Sequence, residues 1–449
     1  MDWGKLPDLV AVALLVCAFA SVARSSQTTV SKLWLIGWIL IALHFAAFIA
    51  VGVPGLWGTC AFVAGIVALI SAGLLFMWAA IPYRGDTSSK WIHWALVGSN
   101  LLYVVVLAMG SPAWILICTA ILLGALPLLI SLLFLPRFKN RWRMTTVFLY
   151  CALSVFLLFV QQKPESGPTL ALNAVLCTVY LGCGILFWHS YRRATAGAFV
   201  TIAGFFAWAS VFLVSPLMTA FYPQVHLDPE MWNLPKYVVA VGMILMLLEE
   251  QIDHNKYLAL HDELTGLPNR RLFQDRLANA VERARRTGTP AALLVIDLNR
   301  FKEVNDTLGH HAGDRVLQHV AEVFTKRMRR SDTVARTGGD EFSVILEEPT
   351  NLAEAENVVL SLMDLLAVPI PIDDCSVQIG ASVGIAICPN DAMDIESLCK
   401  VADMRMYGRK YGSVDDHQEL IRSRSAARPV IGSAKTNPSL QLSPEEQGN

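Results

Sequence analysis

Two things are scarce in this sequence: charge in its first half and any pairing pattern among its cysteines. The nine cysteines, Cys17, Cys60, Cys118, Cys151, Cys177, Cys183, Cys375, Cys388 and Cys399, form no CxxC pair. That argues against a zinc site or a disulfide framework. Six of them lie in apolar stretches, where a free thiol behaves as a small hydrophobe. Net charge is also lacking, since 36 Lys and Arg stand against 37 Asp and Glu, so nothing suggests nucleic-acid binding. What is abundant is apolar side chains: 54% of the 449 residues are hydrophobic, too many for an ordinary soluble protein. Charges are sparse before about Leu248 and dense after it, which divides the chain into a lipid-facing half and a soluble half.

Stretches of the 17–25 residues or so that a bilayer requires occur near 6–23, 33–54, 57–81, 91–109, 113–135, 144–161, 168–189, 195–221 and 231–248. Arg24 with Lys32, Arg84 with Lys90, Arg137 with Lys139, Arg141 and Arg143, and Arg192 with Arg193 make every second connection basic. The connections around Pro54, Gly110, Glu165 and Asp228 carry little positive charge. Basic connections face the cytoplasm, so the N-terminus is expected outside and everything beyond Glu249 inside a bacterial inner membrane. A cleaved signal peptide ending in Ala18 to Ala23 is the rival reading, and it strands the C-terminal half outside. The ninth span has a short unbroken apolar core, Tyr237 to Leu248, and reaches bilayer length only by counting Met231 to Lys236. His44 is the most conspicuous ionisable residue among the spans, read as a hydrogen-bonded core histidine in preference to a functional one. Leu245, Leu248, Ile252, Asn255 and Ala259 follow 3-4-3-4 spacing, the seam of a short parallel coiled coil over 245–261.

Residues 262–412 alternate strand-like and helix-like patterns. Ala291–Leu298 predicts a buried strand, Ala312–Met328 a helix, and Thr333–Leu346 two strands about Gly338-Gly339. A helix over 352–367, a strand over 376–388 and a helix over 394–411 follow. This is an α+β pattern with helices on a mixed sheet, and the polar tail 413–449 is expected to be disordered. Asp340 and Glu341 follow the glycine turn, and Asp297 ends a buried strand. Carboxylates so placed are the hard oxygen ligands of a Mg²⁺ held through phosphates. Glycines let those phosphates approach the backbone. Adjacent strand residues face opposite ways, so Asp340 and Glu341 converge only if the turn twists.

Four motifs in order resemble one family. Asp262-Glu263-Leu264-Thr265-Gly266-Leu267-Pro268-Asn269-Arg270-Arg271 is similar to the DxLTGLxNRR entrance of GGDEF domains. Asp297-Leu298-Asn299-Arg300-Phe301-Lys302 with Asn305-Asp306 resembles DxDxFKxxND, and Gly309-His310 with Gly313-Asp314 resembles GHxxGD. The pentapeptide Gly338-Gly339-Asp340-Glu341-Phe342 follows, then Ser382-Val383-Gly384-Ile385-Ala386 and Ala402-Asp403 with Tyr407 and Lys410.

The resemblance implies a nucleotidyl-cyclase-like, ferredoxin-like palm and a diguanylate cyclase that condenses two GTP into cyclic di-GMP as a homodimer. It implies that Asp297, the Leu298 carbonyl, Asp340 and Glu341 hold Mg²⁺ (or Mn²⁺). Asp340 would also deprotonate the attacking hydroxyl, and Lys302 would stabilise phosphate charge. Asn305, His310 and Asp314 would bind the nucleotide, beside Gly338, Gly339 and Lys410. Arg329 and Asp332, an RxxD five residues before the glycine turn, resemble the inhibitory site for the product, cyclic di-GMP. A solvated basic helix end is the plainer reading of that segment.

Two departures stand out. Asn299 replaces an aspartate, and the family's YxAKxxGRN becomes Tyr407-Gly408-Arg409-Lys410-Tyr411-Gly412-Ser413-Val414, without the final arginine. An inactive GGDEF domain acting as a receptor or scaffold is the competing function. A phosphodiesterase has no EAL-type segment to house it, and a transporter leaves the carboxylate motifs unused.

Overall fold

The computed structural model describes residues 3–26, 28–81, 87–133, 141–161, 167–191, 195–222, 224, 231–348, 351–372, 375–411 and 432–433. The basic connections at Arg84, Arg137, Lys139, Arg192 and Arg193, the connections at Glu165 and Asp228, and all of the 413–449 tail except Gly432–Ser433 lie outside these residues. The chain divides into two units, Met1–Asp253 and His254–Asn449.

The first unit is helical. Among the described residues nine helices are long and apolar enough to cross a membrane. They are α1 (Leu6–Ser26), α2 (Thr29–Ala50), α3 (Leu56–Ala80), α4 (Thr87–Ala108), α5 (Ala113–Leu133), α6 (Arg141–Val160), α7 (Gly167–Ser190), α8 (Ala196–Phe221) and α9 (Leu234–Leu260). Several present large apolar side chains outward, among them Phe148, Val155 and Phe199, as lipid-facing helices do. The second helix begins four residues earlier than hydropathy alone places it, because the Thr28 hydroxyl accepts from Ser31 N and caps it. The ninth is far longer than its apolar core, continuing through the 3-4-3-4 segment to Leu260. On that segment Leu248, Ile252, Asn255 and Ala259 are exposed.

Within the bundle, several buried polar side chains reach backbone carbonyls, the alternative being an unsatisfied group in an apolar medium. Tyr180 Oη donates to Leu69 O at 2.9 Å and Ser154 Oγ to Ala120 O at 2.7 Å. His44 fits the plainer reading, with Nδ1 2.9 Å from Gly65 O and its ring against Phe48.

In the second unit, α10 (Arg270–Thr287), β1 (Ala291–Asn299), α11 (Phe301–Leu308), α12 (His310–Arg327), β2 (Thr333–Arg336), β3 (Glu341–Glu347), α13 (Leu352–Leu366), β4 (Ile370–Ile372), β5 (Cys375–Val377), β6 (Gly380–Cys388) and α14 (Ile395–Tyr411) follow in order. The main sheet runs β2-β3-β1-β6, the strand order of a ferredoxin-like palm. Every pairing is antiparallel, which corrects the expected mixed sheet. Strands β1 and β2, and strands β3 and β6, are joined across helices and run the same way, but the members of neither pair are neighbours in the sheet.

The central strand β1 is buried on both faces, hence its unbroken apolar run. Leu294, Ile296 and Leu298 pack with α12 and α13 residues such as Val320, Phe324 and Leu362. Leu293 packs on the other face with Phe273, Leu277, Leu398 and Ala402 of α10 and α14. The single strand expected over 376–388 is two. Cys375–Val377 pairs with Ile370–Ile372 in a small separate sheet that also takes Gly432–Ser433, while Gly380–Cys388 joins β1. Gln378, whose amide donates to Ala367 O, stands at the break.

Candidate functional site

The end of β1, the β2–β3 turn and the α11–α12 pair meet at one edge of the palm. Strand β1 leaves the sheet through Arg300, whose φ of 60° is left-handed, a local strain of about 1 kcal/mol or more for a residue with a Cβ. The bend starts α11, which carries Lys302 and Asn305. Gly309 (φ 84°) makes the next bend, starting α12 with His310 and Asp314 near its N-terminus. The β2–β3 turn brings Gly339 and Asp340 to the same place, and Leu298 N donates to Asp340 O at 3.2 Å, stitching the strand end to the turn.

Phe301, Lys302, Asn305, His310, Asp314, Leu317, Arg336, Gly339 and Asp340 line the resulting cleft of about 290 Å³. Six of the expected nucleotide-site residues are thereby gathered: Lys302, Asn305, His310, Asp314, Gly339 and Asp340. Gly313 permits the approach of α11 to α12, since a Cβ there would lie 1.9 Å from Asn305 Oδ1.

Other expected residues sit nearby in different roles. Asp297 is nearly buried, and Lys410 Nζ of α14 stands 2.5 Å from its Oδ1. Lys410 is thus on a carboxylate and does not line the cleft. Gly338 and Glu341 do not line it either. Glu341 opens β3 opposite Asp297, and its carboxylate folds back over Gly338, where a Cβ would meet Oε2 at 2.7 Å. Asp340 therefore lines the cleft while Glu341 stands just outside it. Asn299, the departure from the family pattern, accepts from Ser382 Oγ at 2.8 Å and ties β1 to β6.

Arg336 escaped the sequence reading. It is the last residue of β2, and its guanidinium donates twice to Gly339 O, at 2.7 and 3.2 Å, and twice to Asp262, at 3.0 and 3.2 Å. Asp262 also accepts from Thr265 N and Oγ1. Burial pushes the Asp262 carboxyl up, but the Thr265 and Arg336 contacts together outweigh it and hold the group below its ordinary value. Asn269 caps α10 through Oδ1 and donates from Nδ2 to Ala259 O and from N to Leu260 O. The entrance motif is thus a clamp from the end of α9 to the glycine turn.

Away from the cleft, the Asp332 carboxylate accepts from Arg329 N at 2.9 Å and Glu347 N at 3.2 Å. Arg329 Nη2 pairs with Glu354 Oε1 of α13 at 3.0 Å. Arg329, Asp332 and Glu354 border a second recess, of about 130 Å³.

Among the described residues no three His, Cys, Asp or Glu side chains cluster as a ready metal cage. The available hard donors are the Asp297 and Asp340 carboxylates and the Leu298 carbonyl, a set that suits a Mg²⁺ completing its shell with substrate phosphates. The Lys410 ammonium on Asp297 shows that this carboxylate accepts a cation.

Residues 259–413 match the family described as diguanylate cyclase, GGDEF domain. The diguanylate cyclase TpbB of Pseudomonas aeruginosa is 43% identical over 150 residues, covering 33% of this chain and 34% of that protein. The bifunctional diguanylate cyclase/cyclic di-GMP phosphodiesterase MucR of the same organism is 39% identical over 188 residues, covering 38% and 27%. This chain spans between a fifth and about a third of the length of the first such relatives. The crystal structure of the GGDEF domain of TpbB has 40% identity, covers 32% of this chain and 92% of its own, and gives a TM-score of 0.32. The coiled coil and GGDEF domain of DgcB from Caulobacter crescentus, in complex with c-di-GMP, has 27% identity, coverages of 40% and 96%, and a TM-score of 0.38.

Proposed function

We propose that this chain, which belongs to the GGDEF family through residues 259–413, is a membrane-anchored diguanylate cyclase. It condenses two GTP into cyclic di-GMP and two pyrophosphates. The observation that carries the reading is the convergence of Lys302, Asn305, His310, Asp314, Gly339 and Asp340 on one cleft.

In each half-reaction the 3′-hydroxyl of one GTP forms a bond to the α-phosphorus of the other, and the bond from that phosphorus to the pyrophosphate oxygen breaks. Asp340 takes the hydroxyl proton, and Lys302 meets negative charge on the phosphates, the alignment and neutralisation that phosphoryl transfer requires. Asp314 accepts from guanine N1–H and the exocyclic amine, a donor pair adenine lacks, with Asn305 on the same edge. Asp297, the Leu298 carbonyl and Asp340, with Glu341 beside them, would hold Mg²⁺, which when bound supplies charge neutralisation and a template for the two phosphate groups. Lys410 would then move from Asp297 to the phosphates.

A symmetric product needs two facing sites, so the working unit is a homodimer, paired along the exposed α9 stripe of Leu248, Ile252, Asn255 and Ala259. The helical unit holds the chain in the inner membrane with the GGDEF domain in the cytoplasm and passes a signal to it. Cyclic di-GMP returns to the recess of Arg329 and Asp332 as inhibitor, displacing Glu354 from the arginine. The test is to incubate the 250–449 fragment with GTP and Mg²⁺. Cyclic di-GMP should form, and Asp340→Ala should abolish it. Failure of the intact fragment to convert GTP while still binding cyclic di-GMP would favour the receptor reading instead.

A further inference from the structure

The beginning of α9 carries a largely buried lysine whose ammonium has no hydrogen-bond acceptor among the described residues. Lys236, in the first turn of that helix, is 6% exposed. Its Nζ lies 4.2 Å from the centroid of the Phe45 ring of α2. Among the described residues no hydrogen bond or ion pair reaches this ammonium. A ring face offers a cation electrostatic attraction but no lone pair for its three N–H donors.

The carboxylate closest in influence is Asp8 of α1, which acts on Lys236 only through space. Its oxygens are already engaged: Asn233 Nδ2 donates to Oδ2 at 2.6 Å and Tyr237 Oη to Oδ1 at 3.3 Å. Lys5 brings a second positive charge to the same neighbourhood. The first turn of α9 holds no acidic residue to balance its positive end. Among the described residues, two ammonium groups and the positive end of a 27-residue helix therefore face one carboxylate, Asp8, that is already hydrogen-bonded. Burying an ammonium without a hydrogen-bonded partner costs several kcal/mol, and a long lysine near a helix end can usually escape that by reaching for water. The Lys236 side chain is instead largely buried, with its ammonium over the Phe45 ring. An arrangement of this kind is completed by an anion that brings its own acceptor oxygens.

We propose that Lys236, at the start of α9 with Phe45 beneath its ammonium and Lys5 adding positive charge, binds a singly charged oxyanion, a carboxylate or a phosphodiester, as its principal donor. The ligand comes either from a small free acid or from an anionic lipid headgroup. Asp8, pinned by Asn233 and Tyr237, sets the affinity by opposing the guest. The site lies on the helix that continues to Leu260, so occupancy there bears on the element that enters the GGDEF domain.

The test uses the full chain in a neutral maltoside detergent and does not involve cyclase activity. In one arm phosphatidylglycerol is added and the lipid retained per chain is counted by native mass spectrometry. In the other, sodium acetate is titrated at constant ionic strength while the thermal unfolding midpoint is followed. Wild type and Lys236→Arg should retain one lipid, or be stabilised by acetate, whereas Lys236→Met should respond on the order of tenfold more weakly. Asp8→Asn should bind severalfold more tightly. That rise cannot come from misfolding, so it protects the test should Lys236→Met fold poorly. A response in the lipid arm alone identifies a headgroup, and a response in the acetate arm alone a free acid. If neither anion binds, or if Lys236→Met and Asp8→Asn leave binding unchanged, the site does not exist.

Discussion

Replacing Arg336 by alanine removes four donor contacts at once, two to the Gly339 carbonyl and two to the Asp262 carboxylate. The side chains of Arg336 and Asp262 are 13% and 24% exposed, which places the pair between a surface ion pair and a buried one. Hydrogen bonds to charged groups contribute about 1.5–3 kcal/mol each, and partial solvent access returns some of that, so the substitution should cost about 2–4 kcal/mol. For a domain of this size that corresponds to a lowering of Tm by about 4–16 °C. The assay is denaturant unfolding of the 250–449 fragment in a double-mutant cycle with Asp262→Ala, where the coupling should be about 1–2 kcal/mol. The Asp262 carboxyl is held below its ordinary value, so it stabilises the fold above the unfolded pKa, near 3.9, and that contribution disappears as pH falls through the lower folded value. The coupling should therefore vanish in the same acid range. Strictly additive losses at neutral pH would show that the Arg336–Asp262 pair contributes nothing of its own.

Three further outcomes are expected. Lys410→Met should tighten Mg²⁺ binding in the absence of nucleotide, because Asp297 loses its competing ammonium, yet raise the KM for GTP; calorimetry and steady-state kinetics read the two effects separately. Arg329→Ala should weaken cyclic di-GMP binding by about 1–3 kcal/mol with initial turnover preserved, and Glu354→Gln should strengthen it by freeing the arginine. Equal product inhibition of wild type and Arg329→Ala in progress curves would rule that recess out. Gly384→Ala should destabilise the domain by about 3 kcal/mol or more, measured by thermal unfolding, since its Cβ would stand 1.9 Å from Ala402 O and 2.6 Å from Met406 N, backbone atoms of α14 that cannot step aside.

The sequence makes legible what repeats along the chain or needs a particular residue type. The nine apolar helices, the buried strand β1 and the hairpin around Gly338-Gly339 all follow from local pattern. Sheet direction does not, because apolar periodicity records which face is buried and not which way a neighbour runs; hence the mixed sheet where the pairings are all antiparallel. The division of 375–388 was hidden for a similar reason. Its alternation is continuous while its partners change from β4 to β1. Among site residues, Lys302, Asn305, His310, Asp314 and Asp340 stand in motifs dense enough to notice. Arg336 sits in an ordinary strand ending, and only the folded chain shows its reach to Asp262, 74 positions away. Gly384 is conspicuous in its motif, yet what it serves is helix packing.

The close approach at Gly313 has a consequence for anyone altering nucleotide preference. A screen that varies only side chains lining the cleft would leave position 313 untouched, because glycine presents no side chain to a ligand. Any larger residue there would meet the Asn305 amide first, pushing aside a group that the proposed mechanism sets against guanine. Libraries aimed at a different base should therefore sample 305 and 313 jointly, since a bulkier residue at one becomes tolerable only when the other is made smaller.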